Sequence, residues 1–389
     1  MPSSTRKSLQ FIYFDAGGGH RSAALALRQI IAERHPSWQV DLVNLQERLK
    51  TVDPVSRMTK RRVSSEGVYN GMLKRGWTYG SLPLLRGLQA GIKLRAPQIE
   101  AVLERHWRAH LPDLAVSLIP NFNGVLFRSL RAVSAATPFV TIMTDIADCP
   151  PHFWQEPQDQ FIICGSDKAV EQAHTMRYRA ECILRVSGMV LKPAFYAARP
   201  TDRRIGRERL GLDPDRPTAL IMFGGNGSKR ALTIVDALAR LPFQLQTIVL
   251  CGNNALLQRQ LASRASCCAV GFTDQVPDYM RLADIFIGKP GPGSISEALH
   301  LGLPVIVERN RRTMPQERFN TVWISENRLG LVVNDFRQIG DAVRMLFTDD
   351  TLAAFQANAR RLNNRALFEI PVLLAQIMRQ TQAASPNDA

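Results

Sequence analysis

Phe14–His20, FDAGGGH, opens as the apolar run LQFIYF (Leu9–Phe14) ends and leads straight into the helix-like run RSAALALRQIIAER; Gly288–Val307, GKPGPGSISEALHLGLPVIV, follows the short apolar run ADIFI. Both read as strand, tight glycine turn, helix. That arrangement brings bare backbone N–H groups and a helix N-terminus to one point. A single such loop says little. Two of them, each inside its own alternating strand/helix half, predict an α/β protein of two Rossmann-like domains facing one cleft.

Outward from the first loop the pattern continues with strand WQVDLVNL and a basic insertion. Then come a helix near Ala96–His110, strand LAVSLI, a helix near Gly124–Ala135, and strands FVTIMT and DQFIICG. A charged break, ARPTDRR with RLGLDPDRP, follows RVSGMVLKPAFY, after which the cycle restarts at TALIMFGG. This divides the chain into an amino-terminal domain, 1–196, a second domain, 197–362, and a helical segment, 363–389, expected to cross back to the first domain. Helix–strand alternation of this kind argues for parallel sheets covered by helices.

With 389 residues, 45% of them hydrophobic and 21% charged, each half has enough chain for its own core. The six cysteines form no C-x-x-C pair, so they read as reduced thiols of a cytoplasmic protein with no metal site. MPSSTRKS lacks the apolar stretch of a secretory signal, and no apolar run approaches the ~20 residues of a spanning helix. The net charge is +15, and from Arg48 to Arg95 basic residues outnumber acids eleven to two. Lys60, Arg61 and Arg62 are interleaved there with Tyr69, Trp77, Tyr79 and several leucines. Basic residues mixed with aromatic and aliphatic ones suit a segment lying on an anionic membrane surface. A solvated helical insertion is the plainer alternative, and nothing resembling a nucleic-acid-binding motif supports an RNA or DNA partner.

In MFGGNGSKR, Gly224, Gly225, Asn226, Gly227 and Ser228 offer backbone donors to a phosphate beside Lys229 and Arg230. The Walker spacing is absent. In GPGSISEAL, Gly291 and Gly293 permit a tight turn, and Ser294 reads as an N-cap with Glu297 at the third helical position. Glu297 then either closes a capping box or takes the hydroxyls of a ribose. His20 reads either as a helix N-terminal histidine or as a base beside glycines Gly18 and Gly19 that let a substrate come close. Its ordinary pKa, ~6.5, allows it to accept a proton at neutral pH. Asp145, at the carboxyl end of FVTIMT, could orient His20 or bind acceptor, and Asp148 is a rival for that role. Asp213-Pro214-Asp215 reads as a turn rather than a metal signature.

The order GGNGS, LCGNN, VGFTDQVPDYMRLADIFIGKPGPGSISEAL, GLPVIV and MPQERFN, together with DAGGGHRSAALAL, VTIMTDIADCPPHFW and RVSGMVLKPAFY, resembles the GT-B glycosyltransferases of the monogalactosyldiacylglycerol synthase type. It is more distantly similar to the peptidoglycan N-acetylglucosaminyltransferase. The likeness covers about Phe11 to Leu331. It implies that Gly224–Ser228, with Gly252 of LCGNN, hold a diphosphate, that Phe272 and Thr273 flank uracil, and that Glu297 binds ribose. Gln316 with Glu317 would bind the sugar hydroxyls, and His20 would be the acceptor's general base. Two departures, Pro290 and Pro315, fall where the family has a small residue and a glycine.

The resulting expectation is an inverting, metal-independent transfer of a hexose from a UDP-sugar co-substrate to a lipid hydroxyl, that of diacylglycerol. No cofactor is expected, and the protein would sit peripherally on the inner face of the cell membrane. Alternatives are a polyprenyl-linked acceptor, a UDP-sugar 2-epimerase, an NAD-dependent oxidoreductase using DAGGGH, and a non-enzymatic basic membrane-binding protein. The oxidoreductase lacks a well-placed acid after its second strand: Asp41 lies early, and Asn44 stands nearer the end.

Overall fold

The computed structural model describes residues 6–15, 18–50, 81–197 and 202–384. These fall into two compact units, one holding the residues up to Pro193 together with those from Asn364 onward, the other spanning Ala194–Asn363. Lys60, Arg61, Arg62, Tyr69, Trp77 and Tyr79 lie outside the described residues.

The first unit is built on a parallel sheet of β1 (Lys7–Tyr13), β2 (Trp38–Asn44), β3 (Leu114–Ser117), β4 (Phe139–Ile142), β5 (Phe161–Cys164) and β6 (Ile183–Arg185), in the order β2-β1-β3-β4-β5-β6. Every residue of β3 and β4 is buried, the mark of a parallel strand covered on both faces. One cover consists of the helices Ala96–Ala109 and Asn123–Val133, whose Leu103, Trp107, Leu126 and Leu130 pack with Ile12, Ala115 and Phe139. Each such aliphatic or aromatic side chain contributes ~1.5–3 kcal/mol by leaving water.

The carboxyl-terminal helix, Ala366–Ala384, belongs to this unit. Glu369 accepts hydrogen bonds from the backbone N–H (2.7 Å) and hydroxyl (3.0 Å) of Ser187. Asn364 donates to the Met189 carbonyl at 2.8 Å, and the Arg34 guanidinium lies 4.6 Å from the centre of the Phe368 ring.

The second unit carries β7 (Thr218–Met222), β8 (Gln246–Leu250), β9 (Cys267–Val270), β10 (Ile285–Gly288), β11 (Val305–Glu308) and β12 (Gly330–Val333), all parallel, in the order β12-β11-β10-β7-β8-β9. The order turns back on itself between β7 and β10. Open parallel sheets bind ligands outside the carboxyl ends of the strands at that reversal. In the first unit the reversal lies between β1 and β3, so the FDAGGGH loop emerges at one reversal and both GGNGS and GKPGPGS at the other.

Asp213-Pro214-Asp215 is a turn. The Asp213 carboxylate takes the Asp215 N–H at 3.0 Å and pairs with Arg216 at 2.8 Å, while Asp215 pairs with Arg204. Among the described residues no helix is long and apolar enough to cross a membrane.

Candidate active site

In the first unit Gly18 adopts a left-handed backbone, φ +80°, and caps the helix Gly19–Arg34. A side chain is strained in that conformation, which explains a glycine there. His20 is therefore the second residue of this helix, half-buried. Its Nδ1 lies 3.0 Å from the hydroxyl of Thr144, just beyond β4. Burial pushes the imidazole's pKa down to about 4, with a backbone hydrogen bond to Leu118 pulling the other way. The ring is thus neutral at pH 7, and able to accept a proton.

Beside it stands Trp154, fully buried, its ring centre 5.8 Å from that of His20. The Trp154 indole donates to Asp145 Oδ2 at 2.8 Å. The two acidic candidates thereby separate. Asp145 reaches the histidine's surroundings through the indole, whereas the hydroxyl on Nδ1 is that of Thr144. Asp148 instead accepts the backbone N–H groups of His152 (2.9 Å) and Trp154 (2.6 Å), and so shapes its own loop. Burial raises its pKa, and those backbone bonds oppose the shift. Thr144 and Trp154 were not singled out from sequence. The only available signal was a hydroxyl and an indole at the carboxyl end of a buried strand and in the loop after it.

In the second unit the loops after β7 and β8 are in backbone contact. The Asn253 N–H donates to the Gly225 carbonyl at 2.8 Å, and the Gly227 N–H donates to that of Gly224 at 3.1 Å. Gly225 and Asn226 are exposed, and a Cβ on Gly225 would meet nothing within 4 Å, so a ligand can come close to that backbone. Ser228 accepts the Arg230 N–H at 3.3 Å. Arg230 does not point freely at this loop, because its guanidinium is ion-paired with buried Glu308. Phe272, past β9, is 63% exposed. A large aromatic ring left in water is the surface expected to stack on a flat base. Thr273, next to it, accepts the Gln275 N–H at 3.0 Å.

The helix after β10 corrects the capping expectation. It runs Pro292–His300 with Gly291 at the N-cap and no side-chain cap. Proline takes the first position because its φ suits the helix and its missing N–H has no partner to lose there. Ser294 is thus the third residue and donates its hydroxyl to the Gly291 carbonyl at 3.3 Å. Glu297 is the sixth, in the second turn, so the two do not form a capping box. Ile295, Ala298 and Leu299 are buried, leaving Gly293, Ser294 and Glu297 together on the open face at helical spacing.

Pro315 likewise starts a helix, Pro315–Glu326. Gln316 and Glu317 occupy its first turn, with the Gln316 amide 3.7 Å from Met314 Sδ. Glu317 is buried and accepts from Lys289 Nζ at 3.0 Å. The Pro290 carbonyl accepts from Asn320 Nδ2 at 2.8 Å, so both unusual prolines fit the local structure. A Cβ on Gly291 would come within 3.5 Å of Lys289, Ser294 and Glu317, which places all four at one point. Lys289 was missed by the sequence reading. A cation directly before a glycine turn was the signal.

Residues 219–330, from β7 to the first residue of β12, match the glycosyltransferase family 28 C-terminal domain. The chain is a glycosyltransferase. This glycosyltransferase is 29% identical over 391 residues to a probable monogalactosyldiacylglycerol synthase 2, chloroplastic, of Oryza sativa subsp. japonica, the match covering 95% of this chain and 80% of that one. Its fold is that of MurG from Acinetobacter baumannii, at TM-score 0.63 and 12% identity, covering 95% and 99% of the two chains. It is also that of the Anabaena protein HepE solved with UDP-glucose, at TM-score 0.55 and 16% identity, covering 97% and 100%. The glycosyltransferase therefore has the GT-B fold, with relatives in galactolipid synthesis.

Proposed function

We propose that this glycosyltransferase moves a hexose from a UDP-sugar to the hydroxyl of a lipid, diacylglycerol, with inversion at the anomeric carbon. The observation that carries this is the division of labour between the two sheet reversals. One presents a neutral histidine beside Gly18 and Gly19, on each of which a Cβ would meet nothing within 4 Å. The other presents exposed backbone at Gly225 and Asn226, an exposed Phe272, the cluster Lys289, Ser294 and Glu317, and Glu297 three residues after Ser294 on the same helix.

The acceptor oxygen attacks the anomeric carbon opposite UDP. A new C–O bond forms as the bond from that carbon to the β-phosphate oxygen breaks, and the hydroxyl proton passes to His20. The hydroxyl becomes acidic only as its oxygen bonds to carbon, which lets a weak base act in the transition state. The departing charge falls to the backbone N–H groups of 224–228 and nearby cations. This scheme needs no metal or further cofactor, and its only co-substrate is the UDP-sugar. Similarity to the galactolipid synthase of rice supports the lipid acceptor.

The test is UDP release from UDP-galactose, UDP-glucose and UDP-N-acetylglucosamine, with and without diacylglycerol in vesicles. Release with one donor that rises on adding diacylglycerol is expected. A product with the donor's anomeric configuration, or turnover indifferent to lipid, would overturn the reading.

The low pKa of His20 sets the pH dependence. Activity falls when the imidazole is protonated, so the acid limb of kcat/KM should lie near pH 4 rather than near the ordinary ~6.5. The unfolded chain binds this proton at higher pH than the folded one. Stability therefore also declines as pH falls from ~6.5 toward 4. A kcat/KM profile whose acid limb sits at ~6.5 would refute the lowered pKa of His20.

The basic Arg48–Arg95 segment supports attachment to the inner face of the cell membrane. Each basic residue near an anionic surface contributes about 1 kcal/mol, and salt screens it. Replacing Lys60, Arg61 and Arg62 by glutamine should cut co-sedimentation with phosphatidylglycerol vesicles at low salt. Equal pelleting of the unaltered protein with neutral and anionic vesicles would refute this.

A further inference from the structure

Glu308 ends β11 and is buried, with both carboxylate oxygens partnered. One oxygen is ion-paired with Arg230 Nη1, and the other accepts the Phe336 N–H at 3.2 Å. Its backbone carbonyl lies 3.3 Å from the Thr313 hydroxyl, which donates to it. The same hydroxyl oxygen accepts the Asn310 N–H at 2.9 Å. The loop from Glu308 to Thr313 is closed on itself by these bonds, and two residues later the helix Pro315–Glu326 begins, with Gln316 and Glu317 in its first turn. Arg230, for its part, is the first residue of the helix that follows the GGNGS loop. The strands feeding the two loops, β7 and β11, are not neighbours, since β10 lies between them. The Arg230–Glu308 pair is a side-chain bridge across β10, from the helix after the GGNGS loop to the end of the strand that leads into the loop before Gln316 and Glu317.

We infer that Glu308 and Arg230 are positioning residues that hold those two loops in register, and that Arg230 is not itself a ligand of the diphosphate. This rests on the donor-site reading above. A bare arginine beside a phosphate loop would be drawn to the anion. Here a carboxylate holds it: the Arg230 side chain is 38% exposed but that of Glu308 only 8%, so breaking the pair would leave the Glu308 charge away from water without its partner. Each partner thereby fixes the orientation of the other. A bridge of this kind affects the bound sugar more than the bound nucleotide, because only the sugar must be aligned against both loops at once.

The variants E308Q, R230M and the double variant separate the possibilities, with UDP dissociation constants from calorimetry, kcat and KM for the UDP-sugar, and thermal melting of each. E308Q keeps the shape and the Phe336 bond while removing the charge, so it is the milder probe of folding. The expected result is a kcat lowered about ten- to a hundredfold in both single variants, as misplacement of reacting groups does. The double variant should be no worse than either single one, and UDP affinity should stay within about threefold throughout. If R230M alone weakens UDP tenfold while E308Q leaves UDP binding unchanged or tighter, Arg230 is a phosphate ligand and the inference falls. It also falls if melting drops while kcat of the folded fraction is unaltered. A wild-type protein that binds no UDP would instead overturn the donor-site reading, and is recognised before any variant is made.

Discussion

Replacing His20 by alanine is expected to lower kcat by ~10²–10⁴-fold, the usual size of a lost general base, while UDP binds with almost unchanged affinity. The reason is the separation of roles. His20 belongs to the first sheet's glycine loop, whereas Gly224–Ser228, Phe272 and Glu297 all belong to the second unit. The ring is held by the Thr144 hydroxyl and flanked by Trp154, so its loss removes a prepared base and not merely a surface side chain. Turnover of UDP-sugar and lipid, measured beside calorimetric UDP titration, checks both halves. Turnover close to that of the unaltered protein would exclude His20 from the chemistry. Loss of UDP affinity would show that the histidine acts on the donor site.

Gly252→Ala should be nearly as damaging, for a different reason. Gly252 has φ +57°, and a Cβ there would sit 2.2 Å from the Gly225 carbonyl oxygen. Both atoms are on or bonded to backbone, so the overlap cannot be relieved by turning a side chain. The left-handed conformation alone costs an alanine ~1–2 kcal/mol, and the loop after β7 must shift besides. UDP affinity should fall about tenfold or more, each 1.4 kcal/mol being one decade, with a lower melting temperature. Gly225→Ala is the informative contrast, since its Cβ meets nothing within 4 Å. It should leave melting unchanged and still weaken UDP, because the methyl stands where the diphosphate would approach. Undiminished UDP binding by both variants would remove this loop from the donor site.

Much of this was legible in the amino-acid order, for local reasons. Short, mostly apolar strands alternating with helices announce covered parallel sheets, and β3, β4, β7, β8, β10 and β11 are almost entirely buried. Glycines beside strand ends marked the loops at both reversals. One local reading failed at Ser294, where two N-terminal signals competed. Pro292 started the helix three residues earlier than a serine cap would have, and so moved Glu297 into the second turn.

What the residues alone determined is therefore the kind of protein and the places where backbone is bared to a ligand. Those depend on periodicity and on glycine and proline, which act within a few positions. The tertiary structure decided which side chains meet: His20 with Thr144 across 124 positions, Arg230 with Glu308 across 78, Lys289 with Glu317 across 28. None of these pairs is written in a local pattern. Each exists because the strand order brings distant loops to the same edge of a sheet, and because a polar or charged group taken from water there must find a partner.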